Sequence, residues 1–130
     1  MIDEFGPFDL VLDDGSHHVD HVKKTFEFLF PKIDDNGMYF IEDTHAAYWP
    51  SHGGSISHPD SINNVAKVMI DRINADHARG QMMPDYYTQY LKCMSIYDSI
   101  VVFEKGNVGP KFPEEYGGPK SDEFLIIKTH

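Results

Sequence analysis

Two short apolar runs in the first third of the chain each lead directly into carboxylates. The first covers residues 8–12 and continues into Asp13, Asp14, Gly15, Ser16 and His17. The second covers residues 38–41 and continues into Glu42, Asp43, Thr44 and His45. Short, nearly all-apolar runs are typical of strands that are covered on both faces. We therefore predict two buried strands that each end in acidic and polar side chains.

A helix is predicted between these strands, from Val19 to Phe30, and Pro31 helps to end it. Its apolar residues recur at helical spacing: Val19, Val22, Phe26 and Leu29. The composition of residues 34–37 predicts a turn before the second strand. A strand, a helix and a strand with short connections form a βαβ unit, so we expect parallel strands with a right-handed crossover. Both acidic strand ends should then lie at one edge of the sheet, where α/β proteins bind ligands.

Residues 44–61 are predicted to form a long loop, and loops of this length in compact domains are usually functional or disordered. The aromatic residues of this stretch, including the only tryptophan of the chain, favour an ordered loop. A second helix is predicted from Ile62 to Arg79, with Asp60 or Ser61 as its cap and Gly80 at its end. Its predicted apolar face consists of Ile62, Val65, Ala66, Met69, Ile70 and Ile73.

The last third of the chain is predicted to contain a β-hairpin and an irregular arm. Residues 81–92 fit either a short helix or a packed loop. Residues 92–97 and 100–104 predict an antiparallel hairpin at the edge of the sheet. Residues 106–122 are rich in proline and glycine, and residues 124–127 fit a short strand or a docking segment.

Composition and charge narrow the classes of function. The chain has 130 residues, which is enough for one domain with a real core. Its formal net charge of -10 argues against nucleic acid or an anionic membrane surface as the main partner. No apolar run approaches the roughly 20 residues of a membrane span, and the start lacks the pattern of a signal peptide. Cys93 is the only cysteine, so no internal disulfide can form and we expect a cytoplasmic location.

Asp14, Glu42 and Asp43 are the candidate metal ligands. Hard oxygen ligands at one sheet edge, with positions left for water and substrate, suit Mg²⁺ or a similar cation. Two acidic strand ends side by side would also repel each other unless a cation or a shared proton lies between them. Taken singly, such carboxylates can equally cap helices or fill turns. Their pairing on consecutive parallel strands favours the metal.

His17 is the candidate general base, since it lies three residues after Asp14 and a neutral imidazole is the usual base near pH 7. A histidine that caps the following helix explains the spacing at least as well. His17 and His21 could also form a transition-metal pair on a helix, although the glutamate of a protease motif is absent. Tyr48 and Trp49 either cover a bound substrate or anchor their loop on the core.

Four segments together resemble a known family of enzymes: residues 13–17 (DDGSH), 39–43 (YFIED), 48–50 (YWP) and 97–105 (YDSIVVFEK). The combination resembles the C-terminal half of metal-dependent class I S-adenosylmethionine methyltransferases. It is most similar to the macrolide and tetracenomycin-type sugar O-methyltransferases, with cephalosporin-hydroxylase-like proteins as more distant relatives. The resemblance covers about residues 8–105.

The resemblance implies a Rossmann-like α/β methyltransferase fold, of which this chain holds the C-terminal half, with parallel strands and a β-hairpin at the edge. It implies Mg²⁺ bound by Asp14, Glu42 and Asp43, and His17 as the base that deprotonates a sugar hydroxyl. The complete enzyme would use S-adenosylmethionine as its cofactor and a small-molecule glycoside or sugar as its acceptor.

The start of the chain departs from the family pattern. The family's glycine-rich cofactor loop and ribose-binding acid lie upstream of the DGSH strand, which here begins at residue 8. We therefore expect a partial methyltransferase domain over residues 1–130, with a core at 8–105 and an arm at 106–130, and no assignable cofactor-binding residues. Alone, it should not bind the cofactor with useful affinity and should not methylate. It should be marginally stable, or should self-associate or pair with a partner that supplies the missing half. The alternatives are a non-catalytic module for metal binding, substrate binding or assembly, and a hydroxylase-like protein.

Overall fold

A computed structural model describes Glu4 and residues 6–112 of the chain. Its strands and α-helices are β1 (Phe8–Asp13), α1 (Val19–Leu29), β2 (Ile33–Ile41), α2 (Ile62–Ile73), α3 (Tyr86–Tyr90), β3 (Leu91–Tyr97) and β4 (Ile100–Lys105). Short 3-10 turns cover Phe30–Lys32, Thr44–Tyr48, Pro50–His52 and Ala75–His77. The segment predicted at residues 124–127, like residues 113–122 of the predicted arm, lies outside the described residues.

The strands form one four-stranded sheet in the order β1-β2-β4-β3. β1 and β2 are parallel, as the βαβ unit predicts. β4 is antiparallel to β2, and β3 and β4 form the predicted antiparallel hairpin with β3 at the sheet edge. Because β4 runs against β2, the hairpin turn at Asp98 and Ser99 lies at the same edge as the carboxyl ends of β1 and β2. Three loops therefore meet at that edge.

The core lies between one face of the sheet and the two longer helices. The aromatic rings of Phe26, Tyr39 and Phe103 are fully buried in it. The ring of Phe26 packs 4.4 Å from that of Phe103 and edge-on at 5.3 Å from that of Tyr39, measured between centroids. Val19 and Val22 of α1 and Ile62, Ala66 and Met69 of α2 join the same cluster. Large rings with edge-to-face contacts supply much of the apolar area on which this small core depends.

The opposite face of β1 is not covered by the described residues. Leu10 and Leu12 alternate with core-facing positions and are 59% and 58% exposed. The prediction of a strand covered on both faces was therefore wrong for this part of the chain. The error has a physical reason. An apolar run indicates that both faces of a strand avoid water, but it does not indicate which residues cover them.

The sequence predicts a turn at residues 34–37, but in the structure these residues belong to β2. Phe8 pairs with Ile33 and Leu10 pairs with Met38, so β2 bulges outward against β1 over these residues. Asn36 adopts a left-handed φ of 70° within the bulge. A side chain on Gly37 would come within 2.9 Å of the Asp9 carbonyl oxygen, which is why this position needs glycine.

The second helix ends at Ile73, six residues before the predicted end at Arg79. The side-chain amide of Asn74 donates a 2.7 Å hydrogen bond to the Ile70 carbonyl oxygen, which is the acceptor that its own backbone N–H would use in a continuing helix. The helix begins at the predicted cap, where the Ser61 hydroxyl accepts from the Asn64 N–H. Ile70, predicted on the buried face, is 56% exposed.

The region after α2 resolves the prediction left open for residues 81–92. Tyr86–Tyr90 form a short helix that is closed by a capping box between Asp85 and Thr88. At the end of β4, the ammonium group of Lys105 is buried and donates to the carbonyl oxygens of Pro31 and Ile33 at 2.9 and 2.8 Å. None of the helices between residues 6 and 112 is long and apolar enough to cross a membrane.

Candidate metal and substrate site

Asp14, His17 and Asp43 come together at the carboxyl edge of β1 and β2. One ligand atom from each of the three lies within 4.8 Å of the others. The Nε2 atom of His17 is 3.6 Å from an Asp14 carboxylate oxygen and 3.3 Å from an Asp43 carboxylate oxygen. The imidazole is 24% exposed, whereas the two carboxylates are 58% and 48% exposed. The cluster therefore has a partly buried imidazole between two carboxylates that remain open to solvent.

The backbone holds two of these residues in an uncommon conformation. His17 and Asp43 have φ angles of 58° and 52°, in the left-handed region that residues other than glycine rarely adopt. Both residues lie in the segments that follow the strands at this edge, His17 four residues after the end of β1 and Asp43 two residues after the end of β2. Such conformations cost about 1–3 kcal/mol each and concentrate at functional sites.

Asp13 has a different task from its neighbour Asp14. The buried hydroxyl of Tyr39 donates a 3.0 Å hydrogen bond to the Asp13 carboxylate, which also accepts the Gly15 N–H at 3.3 Å. Burial, together with the negative charge of Asp13, raises the pKa of Tyr39 well above its usual value, so the phenol stays protonated and donates. Asp13 thus ties the end of β1 to the core, and only Asp14 faces the cluster. Of the two residues, the sequence predicted only Asp14 as a candidate metal ligand, and no role was assigned to Asp13.

Glu42 lies beside the cluster without being part of it. It lines a small cavity with His17 and Asp43, and its backbone N–H donates to the Asp13 carbonyl oxygen at 3.1 Å. Its carboxylate is not among the three groups that approach within 4.8 Å. The structure thus places two of the three predicted metal ligands with His17, and the third at the wall of the adjoining cavity.

The position of His17 excludes both a capping role and a metal pair with His21. Helix α1 begins at Val19 with His18 at the cap position and no side-chain cap bond, so His17 does not cap it. His17 also precedes the helix, so it cannot pair with His21 across one helical turn. The Nδ1 atom of His21 instead bonds to the Ser16 hydroxyl at 2.7 Å.

Tyr48 and Trp49 extend from the loop that follows Asp43. Both rings are 47% exposed, while Ala46 and Ala47 beside them are buried and anchor the loop. The indole of Trp49 stands edge-on to the imidazole of His45, at 4.9 Å between centroids, and to that of His52, at 5.5 Å. Tyr48 lines a separate apolar groove beside α2 and β3.

Gly54 holds this loop closed in a way that the sequence did not reveal. Its N–H donates to the Trp49 carbonyl oxygen at 2.9 Å, and a side chain at this position would overlap the Ala47 carbonyl oxygen. Asn64 on α2 supports the next part of the loop by donating to the carbonyl oxygens of Ile56 and His58. The aromatic residues therefore sit on an ordered loop.

Gly54→Ala is expected to destabilise the chain by about 1–3 kcal/mol, because the added methyl group forces the loop off a backbone oxygen. Urea unfolding followed by the fluorescence of the single tryptophan, which lies on this loop, measures the effect. Gly106→Ala is the matched control, since its methyl group would meet only the flexible side chain of Lys92. Equal unfolding midpoints for the two variants would contradict the assigned role of Gly54.

Comparison with known proteins places this geometry in context. No family model matches the chain. It is 35% identical over 111 residues to demethylmacrocin O-methyltransferase of Streptomyces fradiae, covering 78% of this chain and 27% of the relative. It is 33% identical over 111 residues to 8-demethyl-8-(2-methoxy-alpha-L-rhamnosyl)-tetracenomycin-C 3'-O-methyltransferase of Streptomyces olivaceus, covering 82% of this chain and 28% of the relative.

Comparison with a solved structure also shows similarity to a methyltransferase. The MycE methyltransferase of the mycinamycin biosynthetic pathway, in complex with Mg, SAH and mycinamycin VI, superimposes with a TM-score of 0.72 at 35% identity. The match covers 81% of this chain and 28% of that protein. The chain thus spans little more than a quarter of the length of these relatives.

The described residues therefore have the fold of part of a Rossmann-like class I methyltransferase. The resemblance found in the sequence is confirmed at the level of the family. The chain is homologous to a part of the macrolide and tetracenomycin sugar O-methyltransferases.

Proposed function

We propose that this chain carries the metal and substrate site of a Mg²⁺-dependent O-methyltransferase that uses S-adenosylmethionine and acts on a sugar hydroxyl. The acceptor would be a glycosylated natural product or a saccharide. The observation that carries this proposal is the meeting of Asp14, His17 and Asp43 at the carboxyl edge of two parallel strands. The names of the relatives, which are sugar O-methyltransferases, support the same reaction.

The donor set fits magnesium. Mg²⁺ prefers carboxylate oxygens, uses one or two of them, and keeps several positions for water and substrate. Asp14 and Asp43 offer such oxygens, and their exposure leaves room for the remaining positions. Glu42 in the adjoining cavity wall would be the third ligand if its side chain turned toward the cluster. The imidazole of His17 is a poor ligand for this hard cation and remains free for another task.

His17 is suited to take up the proton of the sugar hydroxyl. Its Nε2 atom lies within 3.6 Å of both carboxylates, which orient the ring and stabilise the imidazolium that forms. When bound, Mg²⁺ would lower the pKa of the hydroxyl and S-adenosylmethionine would supply the methyl group. Trp49 and Tyr48, on the neighbouring loop, would contact the acceptor. Residues 8–105 would form the core of this partial domain, and residues 106–130 its arm.

Methyl transfer tests the proposal directly. The protein is incubated with isotopically labelled S-adenosylmethionine and rhamnosylated or macrolide glycosides, with Mg²⁺ and with excess chelator. We expect no transfer by the 130-residue chain alone. In a longer protein that contains it, we expect transfer to a sugar oxygen that stops on chelation and returns with added Mg²⁺. The assay is run on the 130-residue chain and on any longer protein that contains it. Binding of Mg²⁺ and glycoside without transfer in either preparation would instead support the non-catalytic module, and iron-dependent turnover would support the hydroxylase-like alternative.

The uncovered face of β1 gives a prediction about association. Leu10 and Leu12 are exposed on a strand that lies at the edge of the sheet formed by the described residues. Exposed strand edges and apolar patches favour association. Sedimentation of the 130-residue chain should show self-association that weakens when both leucines are changed to lysine. Val68→Lys, on the exposed side of α2, is the control. A monomeric wild-type chain at high concentration would contradict the prediction.

A further inference from the structure

A chain of hydrogen bonds joins the hairpin turn to the loop after Asp43. The Ser99 hydroxyl donates to the Asp98 carboxylate at 2.8 Å. The same hydroxyl oxygen lies 2.9 Å from the Nδ1 atom of His45. The two ends of this contact are 54 positions apart in the sequence, so the tertiary fold creates it.

The number of protons shared by the side chains of Asp98, Ser99 and His45 determines the tautomer of the neutral imidazole. A carboxylate only accepts hydrogen bonds, so the one proton of the Ser99 hydroxyl is directed at Asp98. The hydroxyl oxygen can then only accept from His45, which requires the proton of the neutral ring to be on Nδ1. The Nε2 atom of His45 is left with a lone pair, and within residues 6–112 it has no hydrogen-bond partner.

The contact is not needed to tie the loop to the hairpin. The Thr44 N–H already donates to the Ser99 carbonyl oxygen at 3.0 Å, backbone to backbone. Ser99 has a left-handed φ of 63°, as two-residue hairpin turns commonly require. The hydrogen bonds that link the side chains of Asp98, Ser99 and His45 therefore orient the Nε2 acceptor of His45 in addition to holding the loop after Asp43.

The position of His45 indicates what that acceptor meets. It lies two residues after Asp43, so the two Cα atoms are at most about 7.6 Å apart. Its ring stands edge-on to the half-exposed indole of Trp49 at 4.9 Å. A half-exposed indole, with a fixed nitrogen beside it that can accept a hydrogen bond, suits a sugar ring, which presents an apolar C–H face and hydroxyl groups around its rim.

We propose that His45 is a substrate-binding residue whose Nε2 atom accepts a hydrogen bond from a hydroxyl of the acceptor sugar while that sugar stacks on Trp49. Asp98 and Ser99 are positioning residues that keep the lone pair on Nε2. This assignment rests on the proposed function, since it presupposes a sugar acceptor at the edge of β1 and β2.

The first test reads the tautomer without any substrate. Long-range ¹H–¹⁵N correlation spectra of the histidine-labelled chain are recorded about two pH units above the ordinary histidine pKa of about 6.5. The signals of His45 are identified by their loss in His45→Gln. We expect Nδ1 protonated and Nε2 bare. Asp98→Asn offers Ser99 an amide proton, so it should raise the population with the proton on Nε2, while Asp71→Asn on the exposed side of α2 should not. A wild-type ring protonated on Nε2 would overturn the assignment.

The second test measures sugar binding through Trp49, which is the only tryptophan of the chain. Methyl α-L-rhamnopyranoside is titrated in the presence of Mg²⁺, and tryptophan fluorescence is followed. His45→Asn keeps a donor to Ser99 but removes the acceptor at Nε2, whereas His45→Gln can place an amide oxygen there. One neutral hydrogen bond corresponds to a change in Kd of about two- to tenfold. We expect weakening of that size for Asn and recovery of most of the affinity for Gln.

The outcomes separate this assignment from the proposed function. Rescue by Asn rather than Gln would show that His45 only supports the loop and would overturn the assignment. Magnesium binding without any response of Trp49 to the glycoside would overturn it as well, while leaving the metal site intact. Failure of the wild-type chain to bind magnesium, with the Asn and Gln pattern as expected, would contradict the metal-dependent reaction and support the sugar contact.

Discussion

His17→Ala is expected to lower the rate of methyl transfer by about 10²–10⁴-fold, which is the usual contribution of a positioned general base. The expectation rests on the half-buried Nε2 atom, which lies 3.3 Å from Asp43 and 3.6 Å from Asp14. The rate is measured with saturating donor and acceptor in a preparation that shows methyl transfer, so that the loss appears in kcat rather than in KM.

The magnesium affinity of His17→Ala should stay close to that of the wild-type protein, because the imidazole is not a ligand that Mg²⁺ prefers. His21→Ala is the matched control, since this neighbouring histidine is exposed and bonded to Ser16 rather than to the cluster. A parallel loss of magnesium binding in His17→Ala would make His17 a ligand or a structural residue, and the assignment as a base would fail.

Asp14→Asn and Asp43→Asn are each expected to weaken magnesium binding by more than about 100-fold. Removal of groups that merely support metal ligands already costs about 10–100-fold, and loss of a charged ligand should cost more. Calorimetric titration with Mg²⁺ measures the affinity. Asp20→Asn removes the same charge from the first turn of α1, outside the cluster, and serves as the control.

Glu42→Gln decides between two arrangements of the same site. If Glu42 is the third ligand, its variant should lose affinity like Asp43→Asn. If its carboxylate stays outside the cluster, as in the structure, affinity should change no more than in Asp20→Asn. Unchanged magnesium binding in both Asp14→Asn and Asp43→Asn would contradict the metal site as a whole.

Local patterns predicted the elements that position the site. The apolar runs ending at Leu12 and Ile41, with an amphipathic helix between them, predicted two parallel strands, and the structure contains them. The hairpin at residues 91–105 followed from two strand-like runs around Asp98 and Ser99. These predictions succeeded because an apolar strand, an amphipathic helix and a two-residue turn each produce a residue pattern that can be recognised in a short segment of sequence.

The errors arose where a distant or unusual contact decided the outcome. The end of α2 depends on one side-chain bond from Asn74 to the Ile70 carbonyl oxygen, which competes with the helix and leaves no mark in the apolar pattern. Residues 34–37 have the composition of a turn, but pairing with β1 draws them into a bulged strand. In both cases a specific hydrogen-bonding pattern outweighed the local propensity.

The sequence by itself determined that carboxylates and a histidine follow two neighbouring strands, and therefore that they share one edge of the sheet. Only the tertiary structure decided which contacts each of these side chains makes. Asp13, the last residue of β1, is held by Tyr39 in the core, while Asp14, the first residue after the strand, faces His17 and Asp43. His45 and Ser99 meet only because β4 runs antiparallel beside β2 and returns the hairpin turn to that edge. Contacts between residues so far apart in sequence depend on the order and direction of the strands, which no local pattern of residues records.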